Sequence, residues 1–109
     1  MISAVLSAAL MLGGPALPVD PRAYTQVRAS RAGWTSSEWK CLDTIVWRES
    51  RWHLHSKNKH SSAYGLFQIL HMKPGTALKV QVEKGIAYIK SRYSTPCAAK
   101  RHHDQHGWY

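Results

Sequence analysis

Apolar positions recur at helical spacing over two stretches of the chain and follow no clear period between them. Leu42, Ile45 and Val46 stand at i, i+3 and i+4, and the next member of that series, i+7, is Glu49. This stretch opens on Thr35-Ser36-Ser37-Glu38, a capping box in which the Thr35 hydroxyl meets the amide of residue 38 and the Glu38 carboxylate reaches back. Trp34 and Trp39 are spaced as the accompanying hydrophobic staple. Leu78, Val82, Ile86, Ile89 and Tyr93 predict a second helix over 77–93, which Thr95-Pro96 ends. A short final helix is expected over 97–105, ahead of the closing His-Gly-Trp-Tyr.

Between the two periodic stretches, 53–70 is polar at first and then carries a short apolar run around Gly65. It reads as a loop leading into a tight, partly buried turn or short strands, and Pro74-Gly75 marks a further turn. Upstream, 19–33 has few apolar residues and no period, so it is expected to be a basic linker or arm. Residues 1–18 resemble a signal peptide, with an apolar run to Leu12 and small residues at Gly14 and Ala16. No Lys or Arg precedes the run, and the alternative is an amphiphilic helix that stays attached. The run falls short of the ~20 apolar residues that a bilayer span needs. The expected fold is therefore mainly α, one compact domain over 34–109, with a helix bearing Glu49, a turn or short-strand segment and a second long helix.

Glu49 changes the picture because of where it sits. A carboxyl on an apolar stripe loses hydration, which favours the protonated form that a general acid must hold. Arg48 and Arg51 fall on other faces of the helix and are poor partners for it by spacing. The competing reading is a core glutamate paired with a buried Arg or His. No second carboxylate is placed to help it. Asp43 points elsewhere on the same helix, Glu38 belongs to the cap, Glu83 lies beside another stripe and Asp104 is in the polar tail.

Charge narrows the partners only so far. Fifteen Lys and Arg against six Asp and Glu, a net +9, favour polyanions, whether nucleic acid, anionic lipid or acidic wall polymers. The basic residues are dispersed, and no nucleic-acid recognition motif is present. Cys41 and Cys97 suit an exported chain that closes one disulfide, whose loop of about 57 residues is worth roughly 4 kcal/mol by the chain-entropy model. His102 and His106 stand at i and i+4, a spacing able to hold a metal, but no third ligand is indicated and no metal or other cofactor is expected.

Taken together, CLDTIVWRESRW, NKHSSAYGLFQIL and the stretch from Gln81 to Tyr109 resemble the small secreted lysozyme-like lytic transglycosylases of actinobacteria and their phages, over roughly 39–109. The resemblance implies that Glu49 is the single catalytic acid. It implies that Gly65, Leu66 and Gln68 form the turn that lines the sugar groove; the Gln68 amide can both donate and accept, which suits an acetamido group or a ring hydroxyl, the alternative being a turn residue capped into backbone. Tyr64 and Phe67 are placed to offer apolar faces or to be core, and Ser61 and Asn58 stand at polar loop positions. Trp108 and Tyr109 are expected to pack on the core. Ser62, Lys100 and a short segment between Leu70 and Gln81 depart from the family pattern. The implied activity is cleavage of the MurNAc-GlcNAc bond of peptidoglycan with 1,6-anhydro product, by a secreted monomer acting on glycan strands and without cofactor. A lysozyme-type hydrolase, a non-catalytic wall-binding module and, last, a basic nucleic-acid binder are the alternatives.

Overall fold

The computed structural model describes residues 19–109, so the signal-peptide expectation for 1–18 lies outside the described residues. Four helices follow in order: α1 (Pro21–Arg31), α2 (Ser36–Ser50), α3 (Leu78–Tyr93) and α4 (Pro96–His106). The mainly α expectation holds, and the three helices read from periodicity lie within a residue or so of their expected bounds.

α1 overturns the reading of 19–33 as a linker. Asp20 caps the helix by accepting from the amide of Ala23, and Pro21 occupies its first turn, where a missing N–H costs nothing. The face that α1 buries is made of Thr25 and Ala29, both fully inaccessible, and the Thr25 hydroxyl donates to the Pro21 carbonyl. Small side chains let two helices approach closely but leave little hydrophobic signal. Arg22 then fastens α1 to α2 through two bonds to Asp43, at 3.0 and 2.7 Å, and Asp43 also accepts from the Trp52 indole. These donors, Arg22 foremost, hold the Asp43 carboxyl below the usual carboxylate range.

At the start of α2 the Thr35 hydroxyl accepts from Glu38 N–H as expected. Glu38 does not complete the box. Its carboxylate accepts from the backbone amide of Cys97, at 2.8 Å, near the N-terminus of α4. The Cys41–Cys97 disulfide spans the same junction, with the two Cα atoms 5.0 Å apart. The Cys97 amide is one of the unpaired N–H groups in the first turn of α4, where the helix dipole and the carboxylate charge both strengthen the bond. Cystine and carboxylate together therefore set α4 against α2.

The core is formed by Leu42, Ile45 and Val46 from α2, Val82 and Ile89 from α3, Ala99 from α4, Ala29 from α1, and Leu66 and Phe67 from the intervening loop. The loop has two isolated antiparallel bridges, Lys57 to Tyr64 and Tyr64 to Ile69, in place of regular strands. Gln81, 1 % exposed, organises it from α3 by accepting from Leu66 N–H and donating to the carbonyls of Leu54 and Thr76. Gly65 sits against that amide at φ +86°, and a Cβ there would stand 2.2 Å from the Gln81 oxygen. No helix among the described residues is long and apolar enough to cross a membrane.

Candidate active site

Glu49 occupies the last turn of α2, where its carboxyl reaches the wall of a cleft of about 540 Å³. Asn58, Phe67 and Gln68 from the loop, Tyr88 and Arg92 from α3, and Trp108 and Tyr109 from the C-terminal end form much of the rest of the wall. The periodicity that put Glu49 on the apolar stripe is borne out in its burial, since only 21 % of the side chain is accessible.

Its polar partner comes from α4. His103 Nε2 lies 3.0 Å from Glu49 Oε2, and the His103 side chain is 11 % exposed. Arg48, one residue before Glu49 and on another face, passes it by and instead contacts His103 Nδ1 at 3.2 Å and Asp104 Oδ1 at 2.7 Å. Lys100 holds the second oxygen of Asp104 at 2.9 Å, and these two cations, Lys100 foremost, lower the Asp104 carboxyl below its ordinary range.

Each of the other five carboxylates is engaged elsewhere. Asp20 caps α1, Glu38 holds Cys97, Asp43 holds Arg22 and Trp52, Glu83 lies 4.0 Å from Arg28, and Asp104 holds Arg48 and Lys100. Among the described residues, Glu49 supplies the sole side-chain carboxylate lining the cleft.

The predicted turn residues divide between two roles. Gln68, at φ +52°, reaches the cleft, but its amide nitrogen donates to the carbonyls of Ser56 and Gly65, at 3.0 and 2.8 Å. Both N–H groups are thereby committed, and what Gln68 has left for a ligand is an acceptor oxygen, so the expected donor role is corrected. Asn58 lines the cleft too, with its side-chain oxygen accepting from His60 N–H. Phe67 is core, 1 % exposed, and its ring lies against Gly85.

Gly65 and Leu66 support the turn from within: Gly65 N–H donates to Ser56, and Leu66 is fully buried. Tyr64 is buried as well. Its hydroxyl contacts His55 Nδ1 at 2.6 Å and accepts from Gly75 N–H, and with Ser61 it lines a separate hollow behind the loop. Ser61 accepts from Ala63 N–H, a turn role. Ser62 ties the loop to His71, both accepting from its amide and contacting its ring nitrogen.

Comparison with protein-family models, with curated proteins and with solved structures finds no match. The chemistry of the cleft therefore has to follow from its own residues.

Sequence reasoning missed the polar partner of Glu49 and much of the cleft wall contributed by α3 and the C-terminal end. His103 carried no signal, because the i, i+4 spacing drew attention to its neighbours His102 and His106. Those two rings lie tilted against each other with centroids 4.3 Å apart, and His102 packs edge-on against Trp108. Arg92 lines the cleft as the one cationic side chain among the described lining residues, lying 5.6 Å over the Tyr88 ring and 5.8 Å over the Trp108 ring, and it donates to the Tyr88 hydroxyl. Trp108, expected in the core, is 51 % exposed at the cleft, whereas Tyr109 does turn inward. The Tyr109 hydroxyl donates to the Phe67 carbonyl at 2.6 Å, and its own carbonyl accepts from Tyr88. Burial, and then the charge of Glu49 nearby, pushes the Tyr109 phenol well above its ordinary range.

The arrangement is a half-enclosed cleft with one carboxyl on its wall, exposed apolar side chains at Trp108 and Leu70, and one guanidinium on the rim. It can donate and take back a proton at one point while apolar faces cover a ring-shaped ligand.

Proposed function

We infer that the protein is a lytic transglycosylase that cleaves the MurNAc-GlcNAc β-1,4 bond of peptidoglycan with Glu49 as its single acid and base. The observation that supports this reading is the solitary side-chain carboxyl: Glu49 lines the cleft with every other Asp and Glu side chain engaged elsewhere. Glycosidases that use water in the general pattern have two carboxylates flanking the bond. One carboxyl suits a reaction in which the substrate supplies what the second would.

In the proposed course Glu49 protonates the glycosidic oxygen as the bond to the muramoyl C1 breaks. The substrate's own N-acetyl group stabilises the electron-poor C1, and Glu49, now a carboxylate, takes the proton from the C6 hydroxyl. The O6–C1 bond closes the 1,6-anhydro ring, and the acid is restored without consuming water. Trp108 and Leu70, both more than half exposed, give sugar rings an apolar surface. Gln68 accepts from a ring hydroxyl or amide N–H. Arg92 faces the carboxylate of the muramoyl lactyl group or of the peptide stem, and the net +9 charge draws the protein to an anionic wall. The Cys41–Cys97 bridge suits an oxidising, extracellular setting.

Purified protein incubated with peptidoglycan should release soluble muropeptides whose mass lacks one water relative to hydrolytic products. Glu49→Gln should remove the activity, by at least about a hundredfold for loss of a general acid. Undiminished release by Glu49→Gln would end the proposal, and fully hydrated products would replace it with a lysozyme-type reaction.

A further inference from the structure

We propose that His103 is a positioning residue for Glu49: as a neutral ring carrying its proton on Nε2, it holds carboxyl oxygen Oε2 and leaves Oε1 as the oxygen that carries the transferable proton. This rests on the reading of Glu49 as a general acid.

The tautomer follows from Arg48. A guanidinium only donates, so its NH1, 3.2 Å from His103 Nδ1, requires a lone pair on that nitrogen. A ring protonated at both nitrogens would set donor against donor there. The single ring proton therefore sits on Nε2, 3.0 Å from Glu49 Oε2, and donates to it. Arg48 is fixed for this task by Asp104 at 2.7 Å, and Asp104 in turn by Lys100 at 2.9 Å. The order of control is Lys100, Asp104, Arg48, His103, Glu49, carried mostly by one face of α4 against the end of α2.

The chemical consequence is directional. A carboxylic acid free to rotate carries its proton on either oxygen. With Oε2 engaged as an acceptor, the proton is directed to Oε1. His103 has no lone pair on Nε2 to take that proton, which the opposite tautomer would have. When the Oε1–H bond breaks and the leaving glycosidic oxygen takes the proton, the electron pair stays on the carboxylate, and the same Nε2–H bond stabilises it. The partly buried setting keeps water from competing for Oε2.

Two measurements test this. In 15N-detected NMR of the full chain, His103 should show a protonated Nε2 and an unprotonated Nδ1 at neutral pH, and Arg48→Met, which leaves His103 in place, should mix the two tautomers. A protonated Nδ1 in the wild type would overturn the proposal whatever the activity. In kinetics on soluble glycan oligomers, His103→Leu should lower kcat by at least about tenfold with KM little changed. His103→Gln, whose amide N–H can reach Oε2, should recover most of the loss. Full kcat in His103→Leu, or no recovery in His103→Gln, would also overturn it. Should Glu49→Gln itself stay active, the enzyme reading fails, while the tautomer and its dependence on Arg48 are still decided by NMR.

Discussion

Gly85→Ala puts the packing beneath the cleft to a quantitative test. Gly85 lies inside α3, where alanine would ordinarily stabilise the helix by about 0.5–1 kcal/mol. The added Cβ, however, would stand 2.4 Å from Cδ2 and Cγ of Phe67 and 2.5 Å from its Cδ1. Carbon atoms pack at about 3.5–4.0 Å, so the ring would have to retreat by more than about 1 Å. Phe67 is 1 % exposed in a cluster with Leu42, Ile45 and Val82, its carbonyl is held by the Tyr109 hydroxyl, and any retreat of its ring would disturb that packing or the cleft wall. Overpacking of this kind costs about 1–3 kcal/mol, and three rigid contacts place it at the upper end. The net expectation is a loss of about 2 kcal/mol, or a fall in Tm of roughly 8–15 °C for a domain of this size. Urea unfolding followed by tryptophan fluorescence should show a lower midpoint at unchanged slope. A midpoint equal to or above the wild type would refute the claim that Phe67 packs on Gly85. Gly75→Ala isolates the other glycine effect, since its φ is +86° in open space, and should cost only about 1 kcal/mol from left-handed backbone.

Replacing Cys41 and Cys97 by serine should lower stability by about 4 kcal/mol, read as a drop in thermal midpoint that reductant reproduces in the wild type and does not change in the variant. Asp43→Asn should cost about 1 kcal/mol, because Arg22 is half exposed and its bond is correspondingly weak. Since the Asp43 carboxyl is lowered in the fold, its contribution is complete above the ordinary carboxylate value near pH 4 and is lost as pH falls through the lowered one. The stability profile of Asp43→Asn below about pH 4 should therefore be flatter than that of the wild type, and parallel profiles would count against the ion pair. Arg92→Met should raise KM for anionic glycan about tenfold and leave kcat largely intact, the pattern of lost uniform binding; an unchanged KM would remove Arg92 from substrate recognition.

The sequence by itself determined three helices, the Thr35 cap of α2, the two partners available for a disulfide and the inward turn of Glu49. Each of these is a local or periodic property: Leu42, Ile45, Val46 and Glu49 share a stripe whatever else the chain does, and Thr35 caps its own helix. α1 was concealed because it buries Thr25 and Ala29, too small to write a hydrophobic period, although Asp20-Pro21 is a helix start that could have been read. What only the tertiary structure decided is who meets Glu49. His103 is 54 residues away, and it arrives because Glu38 and Cys41 anchor the first turn of α4 while Arg48 and Asp104 align its later turns. The same holds for Gln81 under the Gly65 turn and for Arg92 between two aromatic rings at the cleft. Spacing along a helix states which way a side chain points, but its partners depend on how two helices cross, and that is set by the packing of the whole core.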